Sequence, residues 1–270
     1  MITYPIAKVN LGLLVTEKRS DGFHNIETVF YPVPVQDALE VVESSKFQIN
    51  ITGIDLNENP EKNLVVKAYQ LLNETYKLPP VQIHLHKNIP VGAGLGGGSA
   101  DASYMLLLLN EMFQLDISEK QLLAYALQLG SDCPFFVNPR PVFAVGRGEQ
   151  IEDIDVDLSG FYLILIKPPV HVSTSEAYKH MVPANSRISL KALVHFSVAK
   201  WQGNIQNQFE RYVFSEHPEV GEIKQKLYDL GATFALMSGS GSAVYGLFRS
   251  EKRSLDSHFP LNYQIFRQKL

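Results

Sequence analysis

"PVGAGLGGGSADAS", residues 90–103, holds five glycines in fourteen positions and runs directly into the apolar stretch 104–113. Glycine permits left-handed backbone and lets other groups close on the main chain, so a cluster this dense implies a guest that comes near the backbone. Upstream, Val81, Ile83 and Leu85 alternate with Gln82, His84 and His86, the period of a half-buried strand, and Pro90 blocks any helical continuation. Downstream, Ala102, Met105, Leu106, Leu109, Met112 and Phe113 recur at helical spacing, with Ser99 placed as N-cap. The stretch therefore reads as strand, glycine turn and buried helix. A helix N-terminus presents unpaired N–H groups and about half a unit of positive charge, and glycines before it let those groups close on an anion. A phosphate is the natural guest.

Three glycine-loop chemistries make different demands on the flanks. A P-loop needs G-x-x-x-x-G-K-[ST], but Gly98 is followed by Ser99 and Ala100, which excludes it. Gly92, Gly94 and Gly97 satisfy G-x-G-x-x-G, yet the V-A-I-K, H-R-D and D-F-G elements of a protein kinase are absent from the sequence. A dinucleotide fold wants an acidic residue at the end of the next strand. Here Glu111, Asp116 and Glu119 fall in or just after the helix.

The chain has 270 residues, 45% apolar and 19% charged, enough for one large or two medium domains with real cores. A net charge of −4 without a basic run argues against a nucleic-acid partner. The single cysteine, Cys133, rules out an intramolecular disulfide framework. No signal-peptide pattern opens the sequence and no apolar run is long enough to span a bilayer, so the reading is a cytoplasmic protein without a membrane partner.

Along the chain, strands are expected up to about residue 15 and over 23–33, joined by a hairpin turn at Asp21-Gly22, with further strands at 38–44 and 47–53. Helical spacing marks 63–76, and Ser118 and Gly130 bracket a helix between them. A strand pair is expected over 140–151 and a strand over 161–168. Helices are expected near 175–181, around 190, over 203–214 and over 220–230, then strands at 233–237 and 242–248. Helices and antiparallel-looking strands without βαβ alternation indicate an α+β fold, and an acidic stretch at 153–157 suggests two domains, 1–155 and 156–270.

With these pieces in order, the chain resembles the GHMP family of small-molecule kinases over essentially its whole length. "PVGAGLGGGSA" (90–100) is similar to that family's phosphate-binding motif and "MSGSGSAVYG" (237–246) to its C-terminal glycine motif. "AKVNLGLLVTEKRSDGFHNIET" and "LGSDCPFFV" resemble segments of members that act on a cytidine-diphosphate-linked alcohol. The resemblance implies an N-terminal domain like the second domain of ribosomal protein S5 and a ferredoxin-like C-terminal domain. It further implies ATP as phosphoryl donor with Mg²⁺, and a small cytidine-diphosphate-linked substrate phosphorylated on a hydroxyl in the non-mevalonate route to isoprenoids.

Carried over by residue, the resemblance puts catalysis on Lys8 and Asp132. It puts the ATP phosphates on Pro90, Val91, Gly92, Ala93, Gly94, Leu95, Gly96, Gly97, Gly98, Ser99 and Ala100. Asn10, Phe23, His24, Thr174 and Tyr178 would line the acceptor pocket, Phe23 and Tyr178 sandwiching the cytosine while His24 reads its edge. The family's usual tyrosine is replaced by Phe23, which keeps a ring face and loses a hydroxyl.

Read from spacing alone, Ile6, Lys8 and Asn10 share one face of a strand, which suits a solvent face as well as a site. Asp132, between Gly130 and Pro134, suits a cap as well as a base. Ser99 is a candidate magnesium ligand, the metal's protein ligands being otherwise open. His84 and His86 lack a third ligand and read as a surface face, and Cys133 beside Pro134 reads as packing. Asn63 is a candidate for holding adenine. Rival readings keep the fold with a homoserine, mevalonate or sugar acceptor, or bind nucleotide without catalysis. Oligomeric state is not encoded in any of these patterns.

Overall fold

The computed structural model describes residues 1–56, 59–184 and 188–270. The first half runs β1 (Ile2–Thr3), β2 (Ile6–Lys18), β3 (His24–Gln36), β4 (Ala38–Glu43), β5 (Gln48–Gly53), α1 (Leu64–Tyr76), β6 (Val81–Lys87) and α2 (Gly97–Met112). Next come α3 (Glu119–Leu129), a 3-10 turn Cys133–Val137, β7 (Val142–Val145), β8 (Gln150–Asp153) and β9 (Tyr162–Lys167). The remainder is α4 (Thr174–Lys179), α5 (Leu190–Leu193), α6 (Phe209–Glu216), α7 (Pro218–Asp229), β10 (Phe234–Met237), β11 (Val244–Phe248) and β12 (Gln264–Lys269).

Two compact units interleave along the chain. The first comprises Met1–Ala7, Val35–Val91 and Gly96–Pro139; the second comprises Lys8–Pro34, Gly92–Leu95 and Arg140–Leu270. By compactness, then, the chain does not divide into the linear halves 1–155 and 156–270, which remain a proposal about family domains. The long β2–β3 hairpin explains the interleaving, because most of it packs with distant sequence rather than with its neighbours.

In the first unit the sheet order is β1-β4-β6-β5, with β4 antiparallel and β5 parallel to β6. Val81, Ile83 and Leu85 join Val65, Leu72, Met105, Leu106 and Leu109 in one apolar core, so α1 and α2 cover one face of this sheet. Asn63 caps α1 by accepting the N–H of Val65 at 3.0 Å. Ser118 opens α3 in a capping box with Gln121. The second unit holds two sheets, β2-β3-β7-β8 and β10-β11-β9-β12. Leu13, Val15 and Ile26 of the first sheet share a core with Ile164, Ile166, Met237 and Val244 of the second and with Val220, Ile223 and Leu227 of α7.

Most expected elements are present within a few residues. The expected helix over 203–214 begins only at Phe209, because Gly203 takes φ +78° and the chain turns there. The one strand expected up to about residue 15 is divided into β1 and β2, and one strand lacks a sequence signal strong enough to read: β12, "QIFRQK", has charges that hide its pairing with β9.

Candidate functional site

Gly92, Gly94 and Gly96 take φ +59°, +76° and +73°, so the turn between β6 and α2 is built from left-handed residues. The N-cap of α2 is Gly96 rather than Ser99, and among the described residues no side chain caps it. Ser99 is the third residue of the helix, its hydroxyl near Gly130 and the buried Cys133. The correction has a physical cause. A left-handed glycine turns the chain into the helix without a side-chain acceptor. A Cβ added at Gly98 would meet only Leu64, at 3.7 Å, whereas one at Gly97 would lie 2.9 Å from Ile89.

In the second unit, residues 92–95 are fastened to distant strands. Lys8 donates its N–H to the carbonyl of Leu95 at 3.0 Å, and Ala243 donates to that of Ala93 at 3.2 Å. The carbonyl of Gly94 accepts from Lys8 Nζ at 3.0 Å and from Ser238 Oγ at 2.8 Å. Lys8 Nζ also donates to Asn10 Oδ1 at 2.6 Å and sits 4.9 Å from the centre of the Phe30 ring. Asn10 Nδ2 donates to Thr28 Oγ1 at 2.7 Å, and the hydroxyl of Tyr245 donates to the carbonyl of Asn10 at 2.9 Å. Lys8 and Asn10 are 3% and 1% exposed, so the strand face that spacing alone would leave in solvent is interior. A buried ammonium is tolerable only with such acceptors around it.

The expected acceptor-pocket residues all belong to this second unit. His24 stacks on Tyr178 with ring centroids 5.1 Å apart and planes at 25°, while Phe209 meets Tyr178 edge-on at 4.8 Å. Burial, with Lys18 adding to it, holds the His24 imidazole below its ordinary pKa, so it is neutral at pH 7. Phe23 stays half exposed, with the Arg147 guanidinium 5.0 Å from its ring centre. Thr174 Oγ1 bonds to Ser240 Oγ at 2.9 Å, placing the start of α4 on the second glycine turn. His24, Tyr178 and Thr174 are thus built into one neighbourhood, and the ring facing Tyr178 is His24.

Asp132, in the first unit, occupies the N-cap position of the Cys133–Val137 turn without a side-chain capping bond. Cys133 is fully buried and burial pushes its thiol up to about 11, as packing requires and a nucleophile would not. His84 and His86 each bond to Thr52 Oγ1, at 2.9 and 3.0 Å, and among the described residues no group of three metal-binding side chains exists.

Two features escape the sequence reading. Ser238 joins Gly94 across 144 residues, and no local pattern predicts that. In the first unit Lys87 pairs with Asp37 and with Asp101, the latter at 2.5 Å, and all three are buried. Here a signal did exist: Lys87 continues the inward-facing series of Val81, Ile83 and Leu85, and a lysine on an apolar face demands a partner.

Comparison with known proteins identifies the family. Residues 63–139 match the GHMP kinases N terminal domain and residues 189–256 match the GHMP kinases C terminal domain. The chain belongs to the GHMP kinase family. Within it, the chain is 50% identical to the 4-diphosphocytidyl-2-C-methyl-D-erythritol kinase of Bacteroides thetaiotaomicron over 100% of both chains. It is 53% identical to the protein of that name from Parabacteroides distasonis over 92% of both. A crystal structure of 4-(cytidine 5'-diphospho)-2C-methyl-D-erythritol kinase superposes with TM-score 0.82 at 31% identity, over 99% of this chain and 98% of the other. The Methanococcus jannaschii mevalonate kinase, at TM-score 0.73 and 13% identity, shares the fold.

Proposed function

We propose that this chain transfers the γ-phosphoryl group of ATP to the 2-hydroxyl of 4-diphosphocytidyl-2-C-methyl-D-erythritol, a cytoplasmic step of the non-mevalonate route to isoprenoids. The observation that carries the reading is the 50% identity along the whole length of a relative bearing that kinase's name. The local geometry supports it: the uncapped first turn of α2 and the left-handed glycines before it suit the ATP phosphates on residues 90–100.

Within this reading Asp132 aims the acceptor hydroxyl and takes its proton as the new P–O bond forms. An alcohol is too weak an acid to be ionised beforehand, and a loose phosphoryl-transfer transition state needs its nucleophile positioned more than activated. Lys8 supplies positive charge for the oxygens of the transferring group. Its bonds to Asn10 Oδ1 and the carbonyl of Gly94 fix the ammonium in place, so little reorganisation is needed during the step. Phe23, His24 and Tyr178 receive the cytosine, the neutral His24 imidazole being able both to donate and to accept on the base edge. Asn10 and Thr174 hold the polar part of the acceptor.

Magnesium fits this donor set in one way. No cage of three metal-binding side chains occurs among the described residues, and Mg²⁺ on a nucleotide ordinarily takes most of its ligands from phosphate and water. Ser99 is the protein group that would hold it, and the ion would neutralise the β and γ oxygens.

The test is coupled detection of ADP with the diphosphocytidyl substrate, beside cytidine diphosphate as a control for hydrolysis and a panel of homoserine, mevalonate and sugars. Turnover dependent on the diphosphocytidyl alcohol is expected. Turnover only with an acceptor lacking the base would refute the assignment.

A further inference from the structure

We infer that Lys87, with Asp37 and Asp101, is a positioning device that sets the spacing of the two ends of the glycine turn, and through that spacing the grip of the turn on ATP. The inference rests on the reading of residues 90–100 as the phosphate site.

The geometry belongs wholly to the first unit. Asp37, just before β4, accepts with Oδ1 the N–H groups of Asn88 at 2.5 Å and Ile89 at 2.8 Å, the two residues leading into Pro90. Its Oδ2 takes Lys87 Nζ, and the same ammonium donates to Oδ2 of Asp101, inside α2, at 2.5 Å. One cation therefore ties the strand entering the turn to the helix leaving it. Gly97, the first residue of α2, packs against this clasp: a Cβ there would lie 2.9 Å from Ile89 Cγ2 and 3.5 Å from Lys87 Nζ. The glycine lets the helix settle directly on the ion cluster.

Stability does not account for the arrangement. Three buried charged side chains are costly to desolvate, and hydrophobic replacements of buried ion pairs are often neutral or stabilising. The cluster sets two carboxylates against one ammonium, and Oδ1 of Asp101 has no hydrogen-bond partner, a further penalty. Burial drives the Asp101 carboxyl well above the usual carboxylate range, and Lys87 only partly opposes this. What the cluster does supply is directional rigidity: two carboxylates from different elements fix one ammonium, and an error of about 1 Å in the turn is enough to spoil an aligned phosphate.

The test compares Lys87→Met, Lys87→Arg and Asp101→Asn with the wild-type chain by steady-state kinetics and by calorimetric titration with ATP and with adenosine. Lys87→Met and Asp101→Asn are expected to raise KM for ATP at least tenfold. In both, kcat at saturating ATP should change by less than threefold and the acceptor KM by less than twofold, and Lys87→Arg should recover most of the loss. A merely structural role would lower the melting temperature and the active fraction, and kcat with it, leaving KM for ATP in place; that result overturns the inference. Should Lys87→Met not fold, the near-isosteric Asp101→Asn decides alone, and an unchanged KM for ATP in it is a refutation. If the wild-type chain binds ATP no better than adenosine, the phosphate reading fails and takes the inference with it; a wild-type preference kept intact in the variants sinks the inference only.

Discussion

Gly94→Ala puts the largest demand on the fold from the smallest added group. Gly94 has φ +76°, and a Cβ there would lie 2.0 Å from the carbonyl oxygen of Ser238 and 2.7 Å from its carbon, about 1 Å inside any contact a real Cβ makes. Both obstacles are backbone, so no rotamer change relieves them. The left-handed conformation costs an alanine about 1–2 kcal/mol. Separating the two segments enough to admit the methyl breaks the bonds from Lys8 Nζ and Ser238 Oγ to the carbonyl of Gly94. A bond from a charged donor contributes about 1.5–3 kcal/mol and a neutral one about 1 kcal/mol. The expected loss is about 3.5–6 kcal/mol, some 7–24 °C in melting temperature at about 2–4 °C per kcal/mol for a chain of this size. Because Lys8 loses its anchor in the same displacement, kcat/KM should fall about 100-fold in the surviving folded protein. Urea unfolding followed by circular dichroism gives the first quantity and coupled ADP release the second. Gly98→Ala serves as the control: its added methyl meets only Leu64 at an ordinary 3.7 Å, and helix propensity favours alanine by about 1 kcal/mol. Gly98→Ala should keep or gain stability while weakening ATP binding. A Gly94→Ala protein within about 1 kcal/mol of wild type, with kcat/KM within threefold, would refute the reasoning about this close approach.

Three further outcomes follow from the same geometry. Asp132→Asn should bind ATP with nearly unchanged affinity yet lose at least about 100-fold in kcat; near-normal turnover removes Asp132 from the proton transfer. Phe23→Leu should raise the acceptor KM about tenfold with KM for ATP unmoved, stacking of a base on an aromatic ring contributing about 1–3 kcal/mol, while Phe23→Tyr should match wild type. The buried Cys133 thiol sits at about 11, above its unfolded value, so the folded state holds its proton longer. Its contribution to stability is complete below about pH 8.5 and falls away as the pH rises towards 11. Up to about 3 kcal/mol is lost across that window, and Cys133→Ala should flatten this alkaline slope in a pH series of urea unfolding curves. An equal slope in both proteins assigns the alkaline loss elsewhere.

The sequence by itself determined the local parts. Alternation in "VQIHLHK", the turn at Asp21-Gly22, the Ser118 and Gly130 ends of α3 and the glycine turn before α2 depend on neighbours a few residues apart, where backbone preference and side-chain period act directly. Motif order was enough to bring the family into view, because the two glycine segments and the "SDGFH" hairpin carry chemistry in contiguous residues. What covers each face was decided by the tertiary structure. The same two-residue period that sets Lys8 beside Asn10 fits a solvent face, and Ser238 and Tyr245, brought in from far along the chain, with Thr28 on the next strand, turn it into an interior. Ser99 looks like a cap until the left-handed Gly96 is seen to start the helix without one. Lys87 reads as the end of a strand until Asp37 and Asp101, 50 and 14 residues away, close on it. Period and propensity are local and survive in one dimension; burial, charge pairing and backbone contact between glycines depend on which distant segments meet, and that is fixed only once the chain has folded.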